Sequence, residues 1–155
     1  MTVLLLGFLL GCVTGLRSLT GPAVVCWGAH LGWLHLAGTR LAFLGRPTTV
    51  AIATLLALAE LVADKLPKTP ARTAPAGLSA RILFGALVGS ALAISAGRSP
   101  MGAAIAGLLG GVAGAFAGYT IRHSLVTQAH LPDLVVALAE DLVAIGGGLL
   151  IVSHL

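Results

Sequence analysis

The chain has 155 residues, of which 57% are hydrophobic and only 9% charged. Soluble domains carry about 25% charged residues, so these side chains cannot cover a water-facing surface. Its mean hydropathy is +1.03. At roughly 20 residues per membrane helix, the length admits about four to six spans and no separate soluble domain. The formal net charge of +4 does not indicate a nucleic-acid partner. Lys and Arg fall between apolar blocks, where they act as topology signals.

The apolar runs are continuous and rich in Ala, Leu and Gly, whereas a membrane barrel needs short alternating strands. The expectation is an all-α, polytopic transmembrane helix bundle of about five spans, forming one domain over residues 1–155. Block one, Val3 to about Leu36, is too long for one span and is punctuated by Gly15, Gly21 and Pro22. Its stretch from Val3 to Gly15 is too short to cross alone. A long or broken first helix with Arg17 inside the membrane follows. The stretch from Thr39 to Thr49, with Arg40, Arg46 and Pro47, reads as a loop.

Block two runs from about Val50 to Asp64. Lys65, Pro67, Lys68, Pro70, Arg72 and Pro75 then form a basic loop whose proline density excludes a helix. Block three runs from about Leu78 to Ala96 and ends at Gly97-Arg98-Ser99-Pro100. Block four spans Met101 to about Ile121, and His130-Leu131-Pro132-Asp133 is the next turn. Block five reaches Val152. The loop holding Lys65, Lys68 and Arg72, with Arg81 nearby, is the most basic, so the positive-inside rule makes it cytoplasmic. Alternation of five spans then puts Met1 and Arg122 inside and Leu155 outside.

Gly7, Gly11 and Gly15 precede Arg17, and Gly110, Gly114 and Gly118 precede Arg122. Four-residue spacing places each set on one helix face, where missing side chains let backbones approach in lipid. Blocks one and four are therefore expected to pack together. Ala57-Leu58-Ala59-Glu60 recurs as Ala137-Leu138-Ala139-Glu140. Together these echoes read as an inverted repeat of two-plus-two around a central helix, a transporter trait. Chance recurrence in an Ala/Leu/Gly-rich chain is the competing reading.

Glu140 and Asp141 lie about two turns into block five. Ionised and central, they would cost roughly 5–7 kcal/mol, which offsets all that the surrounding Leu, Ile and Val residues return. They require partners, protonation or a water-filled cavity, and intramembrane acids are candidate functional sites. Glu60 and Asp64 share one face of block two. The expectation is an intramembrane polar cluster of Arg17, Glu60, Asp64, Arg122, Glu140 and Asp141. Its rival is a set of ion pairs that only fixes helix geometry. Lys65, Lys68, Arg72 and Arg81 could grip phosphate from lipid headgroups or a polyprenyl carrier or serve only as a topology signal, which is the favoured reading. Thr14, Ser18 and Thr20 read as pore lining or, more commonly, as hydroxyls bonded to their own helix.

Cys12 and Cys26 read as small buried hydrophobes, and two cysteines make neither a disulfide framework nor a metal motif. Leu9-Leu10-Gly11-Cys12 faintly echoes a lipoprotein cleavage site, but Met1-Thr2-Val3 lacks the basic start of a secretory signal. His30, His35, His123, His130 and His154 show no metal-binding spacing. No metal and no cofactor are expected.

Gly15-Leu16-Arg17, Ala59-Glu60-Leu61-Val62-Ala63-Asp64-Lys65-Leu66-Pro67, Thr69-Pro70 and Arg72-Thr73, with Arg81 and Gly85, form a recognisable pattern. Gly114 through Gly118-Tyr119 with Arg122, and Ala137-Leu138-Ala139-Glu140-Asp141 with Ala144-Ile145, continue it. The chain resembles, over nearly its whole length, the bacterial membrane proteins grouped as domain of unknown function 4126. That resemblance implies a multipass protein of the bacterial inner membrane and implies no activity, substrate or cofactor. The leading functional expectation is a small transporter or channel-like protein, homo-oligomeric and surrounded by membrane lipids, handling a proton or small ion. An assembly partner for other membrane proteins comes second. A lipid-modifying enzyme comes last, for want of a nucleophile and base.

Overall fold

The computed structural model describes residues 2–65 and 73–155. Every regular element in them is helical: α1 (Val3–Leu16), α2 (Thr20–His30), α3 (Pro47–Ala63), α4 (Pro75–Ser95), α5 (Pro100–Thr127) and α6 (Asp133–Ser153), with a short 3-10 turn at Ala42–Gly45. Pro47, Pro75 and Pro100 open α3, α4 and α5, positions where the missing N–H costs nothing and the fixed φ already suits a helix. Gly97, at φ 64°, closes α4 in the left-handed conformation that glycine adopts without strain. α4, α5 and α6 are long and apolar enough to cross a membrane, while α1 and α3 are apolar but shorter. Large apolar side chains face outward, Leu142 at 77% and Leu83 at 69% exposure among them. That is the surface of an integral membrane protein.

Block one breaks as its length requires, and the break is a reversal. Pro22 has no N–H to give Ser18, and in a continuous helix its ring would meet the Ser18 carbonyl. Arg17 leaves the helix in extended conformation, at φ −139° and ψ 108°. The chain then folds back so that Gly21 lies directly on the Thr14 hydroxyl. With 14 and 11 residues, α1 and α2 measure about 21 and 16 Å, each shorter than a hydrocarbon core of roughly 30 Å. They form a re-entrant hairpin with its tip at residues 17–19. The tip sits level with Asp141, about 12 Å from the start of α6, and with Arg81, about 9 Å from the start of α4.

Six alternating helices bring both chain ends to the same side. Leu4 touches Gly102, Val152 touches Gly28, and His35 donates its N–H to Ser95 Oγ at 2.8 Å on that side. Met1 lies outside the described residues, but Thr2 and Leu155 stand on one side, which corrects the expectation of chain ends on opposite sides. The hairpin adds a reversal that a single first span does not have.

α1, α4 and α5 form the tightest unit. A Cβ on Gly7 would stand 3.2 Å from Ala103 O, one on Gly11 2.9 Å from Gly107 Cα, and one on Gly15 2.7 Å from Gly114 Cα. Blocks one and four do pack through these glycines, and Gly110 and Gly114 lie against Phe8 and Cys12. Gly118 is buried one turn further along. Contacts that rise together along both chains mean that α1 and α5 run parallel, whereas an inverted pair would run antiparallel. The two glycine segments are therefore not inverted copies. Gly107 and Gly111 turn a second face to Gly85 and Arg81 of the antiparallel α4.

α2, α3 and α6 form a looser outer trio. α2 packs on both α3 and α6, while α3 and α6 share no packed seam among the described residues.

Two outcomes are expected. Gly11→Leu should destabilise the fold at the upper end of the ~1–3 kcal/mol typical of overpacking, or beyond it. Gly146→Ala, with open space around the new methyl, should be neutral or stabilising by roughly 0.5–1 kcal/mol. Thermal unfolding in detergent compares the two. Side-specific reporters fused at the two chain ends should read the same side of the membrane, opposite to one inserted at His130.

Candidate functional site

The chain has five acidic residues; Glu60, Asp64, Glu140 and Asp141 converge on the hairpin tip, and Asp133 joins them through Arg122. Arg17 has no exposed surface. Its Nη1 pairs with Asp64 Oδ2 from the end of α3. Its Nε donates to Asp141 Oδ1 at 2.7 Å, and Nη2 lies 3.6 Å from Glu140 Oε2 and 3.5 Å from the Ala137 carbonyl, all on α6. The planar guanidinium thus serves two helices at once, a geometry that a lysine ammonium cannot reproduce.

Glu60 belongs to the tip in a different way. Its Oε1 accepts the Ser18 N–H at 2.8 Å and its Oε2 the Leu19 N–H at 2.8 Å, and Ser18 Oγ also donates to Oε1. A carboxylate at the start of α2 satisfies amides that no helical carbonyl reaches and complements the positive end of the helix dipole. The opposite charge stands at the opposite pole. Arg81 Nε donates to the Gly15 carbonyl at 3.0 Å, near the C-terminus of α1, and Nη1 donates to Gly77 O at 2.9 Å.

The network continues outward. Lys65 Nζ donates to Asp141 Oδ2 at 2.6 Å and to the Leu61 carbonyl at 2.8 Å. Arg122 approaches the same Glu140 oxygen as Arg17, at 3.5 Å. It also grips Asp133 with two bonds, Nε to Oδ1 at 2.8 Å and Nη2 to Oδ2 at 2.7 Å. Asp133 opens α6, where a negative charge is favourable.

The structure thus brings Arg17, Glu60, Asp64, Arg122, Glu140 and Asp141 together. Arg81 requires correction: it sits inside α4 and is buried, anchoring the hairpin rather than the basic loop. Its place within an apolar run was the available signal. Lys65 reaches inward to Asp141, a role that its proline-rich neighbourhood conceals. Lys68 and Arg72 lie outside the described residues. Asp133 as the partner of Arg122 and the Ser18 and Leu19 amides are further participants. Spacing in the sequence does not reveal them, because they depend on the turn geometry.

Short apolar helices ending inside a bundle, with ionisable groups gathered at the break, define a polytopic helical membrane protein with a re-entrant segment. The chain belongs to the family described as Domain of unknown function (DUF4126), whose model matches residues 4–154. No curated protein and no solved structure matches it.

Arg17→Met should cost about 3–5 kcal/mol, because it leaves buried carboxylates without a counter-charge. Adding Asp64→Asn and Asp141→Asn should recover most of that loss. Unfolding free energies of the single, double and triple variants give the coupling directly.

Proposed function

We propose that the protein is a small transporter or channel-like protein of the bacterial inner membrane, with the carboxylates around Arg17 as its proton or small-cation site. The observation that carries this reading is the hairpin tip. Two half-helices end inside the bundle with Glu60 at one pole and Arg81 at the other. Broken helices of this kind build the ion sites of many transporters, and irregular backbone at membrane depth is tolerated where it is buried in protein or lines a cavity.

The chemistry follows from the pairing. Asp64, Glu140 and Asp141 make an oxygen-rich site that Arg17 and Lys65 occupy with their own charges. A proton arriving on Asp141 weakens its hold on both cations. A small cation competes for the same oxygens. Either event loosens the tie between α3 and α6, which is made by these ion pairs and not by a packed seam.

The glycine faces do not favour the assembly-partner reading. They are used between helices of the same chain, where Gly11 meets Gly107 and Gly114 meets Cys12.

The test is flux. The chain is reconstituted in vesicles with a pH-sensitive dye inside and a potassium diffusion potential imposed. Wild type should carry a current above that of empty vesicles, and Asp141→Asn with Glu140→Gln should reduce it at least ~10-fold, a barrier increase of about 1.4 kcal/mol. Arg122→Gln, nearer the edge of the network, should reduce it less. Equal flux in wild type and the double variant, with equal insertion, would sink the proposal.

A further inference from the structure

α3 and α6 stand apart over α2, and the gap between them is a cavity of about 410 Å³, within the range of small-molecule sites. α2 supplies its floor through Thr20, Ala23, Val24 and Trp27, one face of the helix, and Leu58 and Ile145 stand on the flanking walls. The slot runs from Thr20 to Leu31, about 16 Å along the α2 axis. Its lining is almost wholly apolar.

Thr20 and Thr54 bring the slot its hydroxyls; Thr54 Oγ1 is already paired, donating to the Val50 carbonyl and accepting from Trp27 Nε1, and Thr20 is not. It is 3% exposed, and its Oγ1 is the buried side-chain oxygen without a hydrogen-bond partner among the described residues. The reason is local. Thr14, Thr54, Thr120 and Thr127 each donate to the carbonyl four residues back, but Thr20 is the first residue of α2 and the reversal removes the carbonyl it would use. Leaving a buried hydroxyl unpaired is destabilising, because its lost bonds to water are not replaced. Water is a poor remedy, since a buried water needs two to four polar partners and the other polar groups of the lining, Thr54 Oγ1 and Trp27 Nε1, are already bonded to one another. A charged head has no counterpart there either, because Glu60, Asp64, Asp141, Arg17 and Lys65 are already paired.

We infer that the slot binds a single-chain lipid whose head is an uncharged hydroxyl or carbonyl, with its chain along α2 and its head on Thr20 Oγ1. A threonine hydroxyl can donate to either head or accept from an alcohol. The site is independent of the ion-handling reading, since none of the network carboxylates takes part in it.

The two tryptophans of the chain, Trp27 and Trp33, both line the slot, so intrinsic fluorescence reports occupancy. The full chain in phosphatidylcholine vesicles is titrated with a bromine-labelled long-chain alcohol. The matched brominated alkane and a brominated phosphatidylcholine serve as comparisons. The alcohol should quench saturably. Thr20→Val should weaken half-saturation roughly tenfold, the loss of one net hydrogen bond, and Thr20→Ser should restore it. The site is disproved if alkane or phospholipid quenches as the alcohol does, or if Thr20→Val binds as wild type does. Flux measured on the same Thr20→Val vesicles separates failure of this site from failure of the ion-handling reading.

Discussion

A guanidinium with no exposed surface, in a protein whose outer face meets hydrocarbon, is the constraint around which the bundle is arranged. Arg17 cannot be neutralised by losing a proton, and an unpaired buried charge costs several kcal/mol even after relaxation. Its carboxylates must therefore arrive before the tip of the hairpin is tenable. Asp64 caps the C-terminus of α3, and Glu140 and Asp141 come from within α6. Those two helices are held in place over α2 as a consequence. Asp133, the remaining acid beyond Glu60, reaches the network through Arg122. An ionisable cluster here is a fold determinant before it is anything else.

The bundle divides its work between two kinds of contact. In the inner trio, α1, α4 and α5 meet backbone to backbone at glycines. This close van der Waals packing persists in lipid, where burial of apolar surface no longer drives association. In the outer trio α2 packs on α3 and α6, while the direct tie between α3 and α6 is made by ion pairs, which respond to protons and ions as glycine packing does not. The distribution places a rigid support beneath an adjustable layer. It also leaves α3, packed on α2 and the Ala42–Gly45 turn, as the helix whose position depends most on the state of the carboxylates.

Much of this was legible in the residues, and the exceptions share a cause. Hydropathy found the apolar helices, and the glycine spacing found the α1–α5 seam. The cost of Glu140 and Asp141 in hydrocarbon announced that they had partners, and Arg17 was the obvious one. The sequence did not disclose the direction of the chain after Arg17. Gly21 and Pro22 say that the helix stops there, but a kink and a reversal leave the same local signature. That one ambiguity underlies both the expectation of chain ends on opposite sides and the inverted reading of the glycine helices. The sequence groups Arg81 with the basic residues that precede it, and only three dimensions show that it caps α1.

The distinction between a cluster that fixes geometry and one that handles ions turns on cost. Buried ion pairs replaced by apolar side chains of similar volume often leave a protein equally or more stable. Joining α3 to α6 by a leucine seam would therefore have been the simpler solution, and elsewhere this chain is 57% hydrophobic. Instead Glu60, Asp64, Glu140 and Asp141 gather at the reversal between α1 and α2, facing the N-terminus of α2 and the side chain that ends α1. A need for packing alone does not select that location. A site of exchangeable oxygen ligands at membrane depth, as proposed above, would require carboxylates, counter-charges that can be displaced, and helix ends that leave unpaired backbone groups near them.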